Sequence, residues 1–72
     1  MDFTKVTTDL PRVSCNVVAI KENGFISNLY YSAVHQKFNV HDYYSNELAE
    51  KLQIEVKAWK YFDEFMQEVK YV

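Results

Sequence analysis

The chain holds a single cysteine, a single glycine and a single proline in 72 residues, and each scarcity excludes something. Cys15 alone cannot close an intrachain disulfide, so the usual staple of a domain this small is missing. A lone cysteine inside an apolar run suits a reducing compartment. One glycine cannot build a Gly-rich phosphate loop. One glycine and one proline also leave little room for a flexible linker, and the composition lies far from that of disordered chains. No apolar run approaches the ~20 residues of a membrane span. The start, Met1-Asp2-Phe3-Thr4-Lys5, has neither the basic beginning nor the apolar stretch of a signal peptide. The expectation is one cytoplasmic domain, residues 1–72, with no membrane segment.

An excess of one charge is missing too. The formal net charge is −2. Residues 1–46 balance four acids against four bases, and residues 47–72 carry six acids against four bases. A phosphate-tracking surface needs a clustered basic stripe, so nucleic acid is not the expected partner. The acidic surplus is also small for a mimic of nucleic acid.

What is abundant is aromatic area. Six Tyr, five Phe and one Trp can each bury roughly 150–250 Å², which offers a small chain a core without disulfides. Residues 13–21 (VSCNVVAIK) read as the best strand, with Val13, Cys15 and Val17 alternating with polar neighbours. Asn23-Gly24 follows as the strongest short-range signal, because both positions of a two-residue turn need positive φ. With that pair at the tip, Glu22 faces Phe25, Val18 faces Leu29, Val17 faces Tyr30 and Asn16 faces Tyr31. The second strand then covers residues 25–34, a turn falls at His35-Gln36-Lys37, and a short third strand at Phe38-Asn39-Val40. A short edge strand is also expected within residues 3–7, before Leu10-Pro11 punctuates the lead-in.

From Ser45, a candidate N-cap, the pattern changes. Leu48, Leu52, Val56, Trp59, Phe62, Met66 and Val69 form a helical stripe over more than 20 residues. Ile54, Val56 and Ala58 alternate instead, as a strand would. Both readings stand: one long helix, or a short helix at 45–52, a strand near 54–61 and a terminal helix from Phe62 or Asp63.

The order Leu10-Pro11, Val13 to Ile20, Asn23-Gly24, Tyr30-Tyr31, Phe38 and Val56-Lys57-Ala58-Trp59, followed by an acidic C-terminus, resembles short phage and prophage proteins of unknown function. The resemblance spans residues 10 to 64. It departs where those proteins place a proline soon after the Trp. It implies a phage setting and an α+β fold, favours the strand near 54–61, and carries no site residues. The expected fold is therefore α+β: an antiparallel sheet of three or four strands with C-terminal helical structure packed on one face.

Catalytic chemistry lacks parts. His35 and His41 are too few for a metal site, which needs three or four converging ligands. Cys15 lies on the apparent core face with no positioned base, and Asp63-Glu64 reads as a solvated face. No catalytic residue, metal site or cofactor is expected. Phe25, Tyr30, Phe38, Trp59, Phe62 and Phe65 are expected in the core. That leaves Tyr31, Tyr43, Tyr44, Tyr61 and Tyr71 for a protein partner, host or viral. Self-association is the simplest case, since a dimer would also enlarge a small core. The rival readings are a single-stranded nucleic-acid binder stacking bases on exposed tyrosines and an acidic mimic that inhibits a nucleic-acid-binding enzyme.

Overall fold

The computed structural model describes residues 3–70. Among them the fold is a five-stranded antiparallel sheet with two short helices. In chain order the elements are β1 (Thr4–Lys5), β2 (Cys15–Lys21), β3 (Ile26–Ser32), β4 (Lys37–Asn39), α1 (Asn46–Lys51), β5 (Val56–Tyr61) and α2 (Phe62–Lys70). The sheet order is β1-β5-β2-β3-β4. Strands β2 to β4 form the expected meander, and β5 returns to the far side of β2. The short lead-in strand and β5 both form, so the sheet exceeds the three or four strands expected, and the single long helix is overturned.

The hairpin forms, with a register one residue away from the expected one. Cys15 faces Tyr31, Val17 faces Leu29 and Ile20 faces Ile26. The loop has three residues rather than two. Gly24 N–H donates to Lys21 C=O at 2.9 Å, and Lys21 N–H donates to Phe25 C=O at 2.9 Å. Gly24 alone takes positive φ, +91°, while Asn23 Oδ1 accepts from Phe25 N–H at 3.0 Å. This is the three-residue loop in which a tight turn is followed by a glycine bulge. A one-residue slip exchanges the two faces of a strand, so Tyr31 rather than Tyr30 joins the core.

The core lies on one face of the sheet, around Val17, Ala19, Leu29, Tyr31, Phe38, Val56 and Trp59, with Val6, Leu10, Ile54 and Tyr61 packed against it. Each large side chain buried here contributes roughly 1.5–3 kcal/mol relative to exposure. Val56 and Trp59 are three apart, a spacing that a regular strand would split between faces. The β2–β5 register shifts between Ile20 and Lys21, so that Ile20 faces Ala58 and Lys21 faces Val56. Lys57 is the extra residue of a β-bulge, and Val56 and Trp59 both reach the core. The helical spacing at 56 and 59 is produced within a strand.

Two segments cover this face. The N-terminal strap (residues 6–14) crosses it, held by Trp59 Nε1–H donating to Asp9 C=O at 2.9 Å and by Arg12 N–H donating to the Tyr61 hydroxyl at 3.1 Å. The crossover from α1 to β5 adds Ile54, whose N–H donates to Phe38 C=O at 2.7 Å. Ser45 caps α1 by accepting from Leu48 N–H, as its position predicts. His35 ties the β3–β4 turn to this region through Asn46 Oδ1 and the Tyr43 carbonyl.

The second face is less covered. Lys60 lies between Trp59 and Tyr61 and faces Val18 in register, so its side chain points away from the core. Its Nζ pairs with Glu68 of α2 at 2.6 Å, which places α2 on this side, over Val18. The Lys60 end is 11 % exposed and the Glu68 end 40 %, so loss of hydration offsets much of the attraction, and the pair locates the helix more than it stabilises it. Phe62 and Phe65 are half-buried there, and Met66 and Val69 remain exposed.

Two stability outcomes follow. Gly24→Ala should cost about 1–2 kcal/mol in urea unfolding, from backbone strain alone, since no atom lies within 4 Å of where the Cβ would stand. Trp59→Phe should cost about 1–3 kcal/mol, read by the circular-dichroism melt. It removes indole volume and the hydrogen bond that holds the strap.

Candidate functional site

The expected partner-facing tyrosines do not form one surface. Tyr31 is only 2 % exposed, and its ring tilts against Phe38 with centroids 4.9 Å apart. Its expected exposure is corrected, because the three-residue loop turns it inward. Tyr61 is half-buried, packs edge-on against Trp59 at 4.9 Å and holds the strap through its hydroxyl. Tyr43 is half-buried, its ring tilted against His41 with centroids 4.4 Å apart, while Tyr44 beside it is fully exposed. Tyr71 lies outside the described residues. Tyr43 and Tyr44 are thus neighbours on the loop before α1, and the rings of Tyr31 and Tyr61 are engaged in the fold.

Two core expectations also change. Tyr30 is half-buried on the second face. Phe25, at the foot of the hairpin loop, is 70 % exposed. Phe38 and Trp59 are buried as expected.

The side chains that emerge instead are Phe25 and Ile26, consecutive at the start of β3 and 70 % and 61 % exposed. Ile26 faces Ile20 across β2, and Ile20 faces Ala58 on β5. A row Ala58–Ile20–Ile26 therefore runs over the second face at its hairpin end. Cross-strand pairs of this kind stabilise a sheet by a few tenths of a kcal/mol up to about 1 kcal/mol. That gain needs no covering layer. Sequence reasoning missed this row by one residue of register. The signal that finds it is Glu22-Asn23-Gly24 read as a three-residue loop, in which only the glycine needs positive φ.

Groups with chemical potential are few. Among the described residues, no group of three or more His, Cys, Asp or Glu side chains is placed to hold a metal ion. Cys15 is half-exposed in a cleft of about 280 Å³ with Asn16, Tyr61, Phe62 and Asp63. Burial, and then the Asp63 carboxylate, push its thiol above the ordinary range. Both causes disfavour the thiolate, which is the reactive form. Burial likewise raises the Tyr31 hydroxyl. No helix among the described residues is long and apolar enough to cross a membrane.

Compared with protein-family models, curated protein sequences and solved structures, the chain matches none. The site is therefore read from its own geometry.

Because Asp63 opposes ionisation of Cys15, Asp63→Asn should lower the thiol's pKa and speed its alkylation by iodoacetamide at pH 8 about two- to threefold. The gain should shrink at high salt, which screens a charge this close to solvent. An unchanged rate would remove Asp63 as a cause.

Proposed function

We propose that this chain is a small, non-catalytic protein-interaction module that acts in the cytoplasm. Its concrete form, suggested by the resemblance to short phage proteins, is an accessory protein that binds and modulates a host or viral protein. The observation that carries the reading is the exposure of Phe25 and Ile26. Phe25 directly precedes β3 and Ile26 opens it, whereas Leu29 and Tyr31 of the same strand are buried. Single exposed apolar side chains are ordinary on any surface. Here Ile26 beside the half-buried Ile20 on one face and Phe25 on the other give the hairpin end an exposed apolar tip, a feature of partner surfaces. Tyr44, on the loop before α1, offers a further aromatic contact.

The rival reading, base stacking on exposed tyrosines, loses support from the placement of Tyr31 and Tyr61. A stacking platform needs several open rings above a basic groove. Of the five expected rings, Tyr31 is buried and Tyr61 is occupied by the strap.

Immobilised protein should capture a saturable partner from host lysate. Ile26→Lys should weaken that capture at least about tenfold while leaving the melting curve within a few degrees of the parent. Capture that is not saturable, or that Ile26→Lys leaves unchanged, would count against the reading.

A further inference from the structure

Beside the exposed side chains of β3 lies an unpaired stretch of its backbone. Antiparallel ladders alternate hydrogen-bonded and non-hydrogen-bonded pairs. Lys21 and Phe25 form a bonded pair, so Ala19–Ser27 and Val17–Leu29 are bonded pairs in the same register. The N–H and C=O groups of Ile26 and Asn28 therefore point away from β2, to the side where β4 lies. Strand β4 reaches only as far as Asn39, opposite Tyr30. Among the described residues, nothing pairs with the four outward groups of Ile26 and Asn28.

The other two edges are blunted, as natural sheets require. Strand β1 has two residues, one of them Lys5. The outer side of β4 is covered where Phe38 C=O accepts from Ile54 N–H, and β4 carries Lys37. The segment Phe25-Ile26-Ser27-Asn28-Leu29 has no charge and no proline, and two of its apolar side chains face solvent. Among the described residues it is the one place where an open backbone edge and exposed apolar groups coincide.

We propose that this edge of β3 receives a short extended segment of another protein, which adds as a further strand of the sheet. The inference rests on the interaction-module reading and names the partner's form: a linear stretch of three or four residues. A β-branched or aromatic residue should lie opposite Ile26, beside the Ile20–Ile26 pair, and a polar residue opposite Asn28. The main chain supplies the bonding, and alternate side chains supply the choice.

A second copy of this chain fits poorly. Bonding Ile26 of one copy to Asn28 of the other places the second copy's Phe25 opposite Leu29. That position directly follows Asn39, which already faces Tyr30, so the incoming hairpin loop runs into the end of β4. The open stretch is also only about 13 Å long at roughly 3.3 Å per residue, too short a line of contact to carry the ~1,600 Å² that stable interfaces between whole domains bury. A linear segment with free ends carries no hairpin loop into β4, and a transient peptide contact needs no such area.

The test is selection from a displayed library of random linear heptapeptides against the immobilised chain, with amide hydrogen exchange followed by NMR. In the free protein, the Ile26 and Asn28 amides should exchange fast while those of Ser27 and Leu29 are protected. A selected peptide should protect Ile26 and Asn28 and should show alternating apolar and polar positions. Asn28→Pro, whose one lost backbone donor points outward, should weaken its binding at least about tenfold. If that variant unfolds, the exchange pattern decides alone. Peptides that bind but leave Ile26 and Asn28 unprotected would overturn the edge and leave the interaction module standing. Slow exchange of both amides in the free monomer would overturn the edge as well, and so would selection that retains no peptide. A concentration-dependent dimer that protects both amides would overturn the choice of occupant.

Discussion

The register between β2 and β3 is the constraint on which the remaining structure depends, and it is set by three residues of loop. Glu22 and Asn23 make the turn, and Gly24 takes the +91° φ that lets Phe25 rejoin the ladder opposite Lys21. From there the alternation of a strand decides everything downstream. Leu29 and Tyr31 fall on the face of Val17 and Ala19, and Tyr31 meets Phe38 there. A slip of one residue would send Ile26, Asn28 and Tyr30 inward and strand two of the largest core side chains in water. At roughly 1.5–3 kcal/mol for each apolar side chain moved, such a slip would remove most of the stability a chain of this size has. The choice is therefore sharp, although the turn itself is worth little.

The same economy appears in how the face is closed. A lone cysteine closes no disulfide within the chain, and among the described residues no helical layer covers this face. The strap of residues 6–14 does so, and it is held at its polar points: the indole N–H of Trp59 on Asp9 C=O and the Tyr61 hydroxyl under Arg12 N–H. Each bond contributes about 1 kcal/mol net, yet each comes from a ring that is also packed. A single side chain then both fills the core and fixes its cover. The bulge at Lys57 makes this arrangement reachable, because it turns Val56 and Trp59 to one face despite their odd spacing.

The element types were largely legible in the sequence. Alternation marked β2, Asn23-Gly24 marked a hairpin, and Ser45 marked the start of α1. The register was not legible, because Asn-Gly serves a two-residue turn and a three-residue loop equally well, and the difference lies in one backbone φ. That single ambiguity exchanged Tyr30 with Tyr31, and with them the expected site. The stretch from Ile54 to Trp59 was ambiguous for a related reason. A bulge writes a helical spacing into a strand, and periodicity cannot tell the two apart. Tyr61 reads as a partner residue because a sequence does not reveal that its own strap claims the hydroxyl.

An open backbone edge leaves no trace in side-chain patterning, yet its cause here is a side chain. Asn39 is buried, and its Nδ2 donates to the Ala49 carbonyl at 3.0 Å. That bond draws the chain out of the sheet toward α1 at the point where it could have continued beside β3. Were residue 40 to follow β3, Val40 would face Leu29 and begin to close the edge; instead Val40 is exposed and β4 stops opposite Tyr30. The hydrogen bond that docks α1 thus also keeps the Ile26 and Asn28 backbone open. A buried amide that satisfies a helix carbonyl sets the length of β4, and the length of β4 sets how much of β3 remains for another chain to read.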